Sequence, residues 1–115
     1  LWEGHSIRSL VPFLFEGRLP DLNLGTAAGA SCTAATQARL EAVLAGQGDY
    51  TWVSNGCFKG GYITRHYGQP ARGVEAIQLE IAQCCYMDEA DARYEPTLAS
   101  RLQPLLAGLL RAAMA

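Results

Sequence analysis

Val74-Glu75-Ala76-Ile77-Gln78-Leu79-Glu80-Ile81-Ala82-Gln83-Cys84 is the stretch that decides the fold. From Ala76 to Ile81 apolar and polar side chains alternate with the two-residue period of a strand, and the run is apolar enough to have neighbours on both sides. We therefore expect a strand over Val74 to Cys84. Glu80 is its anomaly, because an unpaired carboxylate facing an apolar core costs several kcal/mol, on the order of a small domain's whole margin. It has to face water, a partner charge or a site.

Working upstream, Tyr62 to Tyr67 reads as a short extended or irregular piece that ends at Gly68-Gln69-Pro70. Tyr50 to Ser54 is aromatic and β-branched, hence a strand, and Asn55-Gly56 marks a turn. Thr33 is placed to cap a helix that runs to Ala45, with Leu40, Val43 and Leu44 on its buried side and Gly46 and Gly48 ending it. Leu19-Pro20-Asp21-Leu22-Asn23-Leu24-Gly25 alternates again, a strand with inward leucines and Pro20 at its first position. Leu1 to His5 suits a strand end that delivers a histidine.

Downstream, a charged segment from Asp88 to Glu95 leads to Pro96, a good first helical residue. Leu98, Leu102, Leu105, Leu106, Leu109 and Leu110 then recur at helical spacing, and Pro104 within the run predicts a kink or a division into two helices. Strands interleaved with helical regions give an α/β class, a mixed sheet with flanking helices, and residues 1–115 read as one domain or as part of a larger one. The opening Leu1-Trp2-Glu3-Gly4-His5-Ser6, without an initiator methionine, reads as a start inside a longer protein.

The 115 residues are half hydrophobic and 17% charged, with nine basic and eleven acidic side chains and a formal net charge of -2. The charges are scattered, so neither a nucleic acid nor an anionic membrane is indicated as a partner. No apolar stretch approaches the roughly 20 residues that cross a bilayer. Cys32, Cys57, Cys84 and Cys85 include no CxxC pair, which favours free thiols in a reducing, cytoplasmic setting. Adjacent residues of a strand point to opposite faces, so Cys84 and Cys85 read as core packing rather than metal ligands.

Several groups suit chemistry. His5, flanked by Glu3, Ser6 and Arg8, is either a hydrogen-bonded structural histidine or a zinc ligand whose second ring nitrogen is held by an acid. Glu80 is either on a solvated strand face or a general base beside a metal-bound water. Asn55-Gly56-Cys57-Phe58-Lys59-Gly60-Gly61-Tyr62-Ile63-Thr64-Arg65-His66-Tyr67-Gly68 is dense in groups for an anion, with a point charge at Lys59 and a planar fork at Arg65. Lys59 precedes the glycines, the reverse of a phosphate loop, which leaves a looser anion-binding module as one reading. His66 serves either as a proton shuttle and hydrogen-bond donor or as packing. A Cys57 nucleophile paired with His66 lacks an orienting partner nearby in sequence.

Four separated motifs occur in the order of one known family: Gly4-His5-Ser6-Ile7-Arg8-Ser9, Leu14 to Thr26, Phe58 to Gly68, and Gln78-Leu79-Glu80. Together they resemble the N-formylglutamate amidohydrolases over nearly the whole chain, in about the carboxyl-terminal two fifths of a member. The resemblance implies a zinc-peptidase-like (phosphorylase/hydrolase-like) α/β fold related to carboxypeptidases and aspartoacylases. It implies zinc-dependent hydrolysis of N-formyl-L-glutamate to formate and L-glutamate, a late step of histidine breakdown. His5 matches the last metal ligand and Glu80 the general base. Arg8 and Arg65 are expected to take the carboxylates of a small dicarboxylate-like substrate, with Lys59, Asn55 and His66 as further pocket residues. Where the family commonly has an aspartate before the histidine, this chain has Glu3. The family's earlier metal-ligand segment is not among these residues, and no HxxE-type cluster replaces it. The expectation is a truncated member whose zinc site is completed by a missing amino-terminal segment or by a second copy, or a non-catalytic remnant that self-associates.

Overall fold

The structure, a computed structural model, describes all 115 residues. Its centre is a four-stranded mixed sheet of β1 (Trp2–Ile7), β2 (Leu22–Gly25), β3 (Trp52–Ser54) and β4 (Ile77–Ala82). The spatial order is β1-β4-β2-β3, so the strand with the strongest alternation is an interior one, as its apolar content requires. β1 runs parallel to β4, β2 antiparallel to β4, and β3 parallel to β2.

One face of the sheet is apolar. Leu22 and Leu24 of β2 and Ile77 and Leu79 of β4 form a single buried cluster with Leu40 and Leu44 of α1 (Ala34–Ala45) and Leu102 and Leu109 of α3 (Pro96–Met114). Each such side chain contributes roughly 1.5–3 kcal/mol on burial, which makes this two-layer contact the main source of stability. The Thr33 hydroxyl accepts from the Thr36 backbone N–H at 3.2 Å and caps α1 as expected, and Gly46 closes it.

The other face is polar. A strand period of two puts Glu3, His5 and Ile7 of β1 on the same side as Gln78, Glu80 and Ala82 of β4, and Asn23 and Gly25 of β2 join them. Over it lie the loop Lys59–Gly61 and α2 (Tyr62–Tyr67), which is anchored by two bonds. The Gly61 N–H donates to Gln78 Oε1 at 2.9 Å, and the Thr64 hydroxyl donates to Glu3 Oε2 at 2.7 Å. No helix is long and apolar enough to cross a membrane.

Five elements depart from the sequence reading. Residues 62–67 are helical rather than extended, because Gly61 opens a turn closed by Arg65 N–H to the Gly61 carbonyl and the buried Thr64 side chain fixes its inner face. The strand around Leu19 starts only at Leu22, since Pro20 has no N–H for a ladder and its carbonyl accepts from Asn23 Nδ2. Glu80's strand ends at Ala82, and Gln83–Cys85 forms a 3₁₀ turn in which the Cys84 N–H donates to the Glu89 carboxylate at 3.0 Å. The charged segment folds into a small hairpin, β5 (Met87–Asp88) with β6 (Arg93–Tyr94). Finally, α3 runs through Pro104 as one helix, and Pro104 lies at an exposed position where the carbonyl it cannot bond is open to water.

Candidate functional site

His5 and Glu80 are opposite one another in the parallel ladder between β1 and β4. Their side chains therefore emerge side by side on the polar face, although 75 positions separate them in the chain. His5 Nε2 donates to Glu3 Oε1 at 3.3 Å, two residues earlier on the same strand and the same face. The other Glu3 oxygen takes the Thr64 hydroxyl, and that bond, acting against a smaller burial effect, lowers the Glu3 pKa below its ordinary value. Glu3 is thus an ionised carboxylate, pinned from α2, that orients the imidazole. The extra methylene relative to aspartate is accommodated because the acid reaches along its own strand.

Glu80 is only 7% exposed. Burial raises its pKa above the usual carboxylate value, and the attraction of His5 opposes that only in part. No protein donor is set against its carboxylate. On its other side Asn23 stands in register with it on β2. Asn23 Nδ2 donates to the Pro20 carbonyl and the Glu80 carbonyl, while its Oδ1 is buried without a hydrogen-bond partner. A buried acceptor next to a buried carboxylate is a polar pair lacking donors, which is costly unless something brings them.

The cationic residues surround this face rather than converge on it. Arg8 leaves the carboxyl end of β1, with Nη2 donating to the Glu89 carbonyl at 2.6 Å. Glu89 fixes that corner, since its carboxylate accepts from the Ser9 N–H, the Ser9 hydroxyl and the Cys84 N–H. Arg65 lies toward the other end, on α2, and its Nη1 donates to the Gly60 carbonyl at 2.8 Å. Lys59 is exposed, and its carbonyl takes the Ala27 N–H. Asn55 has its carboxamide occupied, accepting from the Thr26 and Ala28 N–H groups and donating to the Thr26 hydroxyl, so it shapes the loop. His66 is exposed, stacked on Tyr62 at 4.9 Å and edge-on to Tyr67 at 4.7 Å. With the Gly61 N–H donating to Gln78, the glycine loop does not offer that donor to an anion.

One cluster departs from the sequence reading in part: Cys85 lies in the core and Cys84 packs against it as expected, but neither sits on a strand. The 3₁₀ turn takes Cys84 and Cys85 off the strand, so they do not point to opposite faces. Their sulfurs and an Asp21 carboxylate oxygen lie within 4.8 Å of one another, an incomplete metal-ligand triad. Burial and the nearby Asp21 charge push the Cys85 thiol well above its ordinary range. Burial also opposes ionisation of Asp21, but hydrogen bonds from Thr51 and Arg18 outweigh it and hold its pKa below the usual value.

Thr64, Asn23 and Glu89, which hold the geometry around this face, were not singled out by the sequence. Only Asn23 carried a signal, as the polar member between two inward leucines.

Residues 1–87 match the N-formylglutamate amidohydrolase family. The chain belongs to that family. It is 59% identical to the N-formylglutamate deformylase of Pseudomonas aeruginosa over 116 aligned positions, covering all of this chain and 44% of that protein. Against the N-formylglutamate deformylase of Pseudomonas putida the identity is 52%, again over the whole chain and over 43% of the relative. The crystal structure of N-formylglutamate amidohydrolase from Ralstonia eutropha JMP134 superposes with a TM-score of 0.82 at 26% identity, over 98% of this chain and 41% of that one. The chain thus spans less than half the length of the relatives it matches.

Proposed function

We propose that this chain is the carboxyl-terminal part of a zinc-dependent N-formyl-L-glutamate deformylase with a zinc-peptidase-like fold, and that it supplies one metal ligand and the general base. The observation that carries the reading is the register of His5 with Glu80. A histidine held by an acid and a largely buried carboxylate that no protein group donates to share one polar face. His5 has a carboxylate on Nε2, the outer-shell arrangement of a metal-ligating imidazole, and Nδ1 is left for the ion. One imidazole does not make a catalytic zinc site, which takes three protein ligands. The others are assigned to the remaining part of the longer polypeptide, arriving beside β1, whose outer edge has no strand against it.

When bound, zinc supplies Lewis acidity toward the formyl carbonyl and acidifies water. Glu80 accepts the proton of the attacking water and delivers it to the departing amide nitrogen, releasing formate and the free amine of glutamate. Burial raises its pKa, the direction that makes a carboxylate a stronger base. Arg8, with one arm held by the Glu89 carbonyl, and Arg65 on α2 are proposed to bind the substrate carboxylates. Lys59 and His66 are further pocket groups, and Asn55 acts by holding the loop. These charged hydrogen bonds give the preference for glutamate.

The test is a chimera in which these 115 residues replace the matching 44% of the Pseudomonas aeruginosa deformylase. It is expected to release formate from N-formyl-L-glutamate, and His5→Ala to lose both bound zinc and activity. A His5→Ala chimera that keeps its zinc and its rate contradicts the assignment.

A further inference from the structure

We propose that Asp21, Cys84 and Cys85 form a metal site for a soft divalent ion of the zinc class. Asp21 is a carboxylate only 8% exposed. Its Oδ2 is anchored by the Thr51 N–H at 2.9 Å and the Thr51 hydroxyl at 3.1 Å. Its Oδ1 faces the other way, toward the Cys85 thiol at 3.4 Å. A carboxylate with one oxygen held from behind and the other presented to sulfur has the outer-shell support that metal-ligating acids need.

The cation now at this spot is a guanidinium. Arg18 Nη2 donates both to Asp21 Oδ1, at 2.8 Å, and to Cys84 Sγ, at 3.1 Å. One positively charged group therefore already bridges two of the three donor atoms. Arg18 is about half exposed and has room to withdraw. The three donor atoms lie within 4.8 Å of one another. Around a tetrahedral zinc with thiolates at ~2.3 Å, neighbouring donors stand roughly 3.8 Å apart, so closing on the ion takes about 1 Å of movement. Side-chain rotation of the two cysteines on their 3₁₀ turn supplies it.

Donor chemistry selects the ion. Two thiolates exclude magnesium and calcium and favour zinc or its softer congeners. Binding releases the two thiol protons, one from each cysteine, as the two sulfur–metal bonds form. Two thiolates and one carboxylate against a doubly charged ion leave one net negative charge, which faces the guanidiniums of Arg18 and Arg101. Both line a cavity of 690 Å³ that the triad opens into, together with Asp49 and Tyr50. The cavity leaves a fourth position for water or an exogenous ligand.

Cadmium is the probe, because thiolate-to-cadmium charge transfer reports sulfur ligation directly. The reduced, metal-free chain is titrated with Cd²⁺ and then competed with Zn²⁺. Expected are one equivalent bound, about half the absorbance lost in each of Cys84→Ser and Cys85→Ser, and no change in Cys32→Ser, Cys57→Ser or His5→Ala. Thr51→Val, which removes a hydroxyl behind Asp21 without touching a donor atom, is expected to weaken binding by about tenfold. Circular dichroism on each variant checks the fold. Cys84, being only half-buried, keeps the test alive if Cys85→Ser unfolds. A folded chain with no saturable band, a band that survives in the Cys84/Cys85 double variant, or one that disappears in Cys57→Ser overturns the proposal.

Discussion

Glu80 stands in register with His5 on the neighbouring parallel strand, and burial raises its pKa with only His5 pulling it back. The ionised carboxylate is therefore disfavoured in the folded, metal-free chain relative to the unfolded one.

The first prediction follows from that sign. A carboxylate whose folded pKa is raised leaves stability intact below the unfolded value of 4.5 and removes it as pH rises through the folded value. Glu80→Gln in the metal-free chain is thus expected to raise the thermal midpoint at neutral pH, and the gain is expected to vanish below the ordinary carboxylate range. Thermal melts of both proteins across that span check it.

The link from Thr64 through Glu3 to His5 makes a second prediction. Thr64→Val removes the donor that pins Glu3, costing about 1 kcal/mol in stability and loosening the imidazole. Glu3→Gln keeps the size but weakens the hold on His5. In the chimera each variant is expected to lower zinc affinity by roughly 10- to 100-fold, read by competition with a chromogenic chelator. Unchanged affinity in both would mean that Glu3 does not orient the ligand.

Gly25 links the fold to the pocket. A methyl group there would meet Gly60 N and the Lys59 carbonyl carbon, each at 2.8 Å, and backbone cannot yield as a side chain can. Gly25→Ala is expected to cost about 1–3 kcal/mol in denaturant unfolding. It is also expected to raise KM in the chimera more than it lowers kcat, because it lifts the loop that carries Lys59 and leads into Arg65.

Glu75 supplies the opposite pH dependence. Its carboxylate accepts from the Thr33 N–H and the Thr36 hydroxyl at the start of α1, and the Thr33 bond, against a smaller burial effect, is the main cause of its lowered pKa. A depressed carboxylate stabilises above the unfolded value of 4.5, and that contribution disappears as pH falls through the folded value. Glu75→Gln is expected to cost on the order of 1 kcal/mol at neutral pH, allowing for solvent screening, and nothing in acid. Urea midpoints at the two pH values measure the difference.

Much of the scaffold was legible because local pattern and tertiary role agree. The alternation around Leu79, the Thr33 cap and the leucine spacing of α3 each follow from periodicities that burial enforces. Residues 62–67 were not legible, because Tyr-Ile-Thr has strand-like side chains and the helix is too short to show its own period. What fixes it is the Thr64 to Glu3 bond, made to a residue 61 positions away. The turn at Cys84 and Cys85 was hidden for a different reason, since the strand ends where the Glu89 carboxylate, five residues on, captures the Cys84 N–H, while both cysteines still pack in the core as expected. His5 and Glu80 were each conspicuous as residue types in odd places. Their adjacency depends on strand order, which the sequence pattern alone does not specify.

The most direct measurement is the rate of formate release by the chimera carrying Glu80→Gln, with zinc content determined on the same sample. Full zinc occupancy, an unchanged fold and kcat lowered by about 10²-fold or more are expected, because the proton acceptor is lost while the metal ligand stays. A Glu80→Gln chimera with bound zinc and a rate within a few-fold of the parent would contradict the claim that this strand carries the general base.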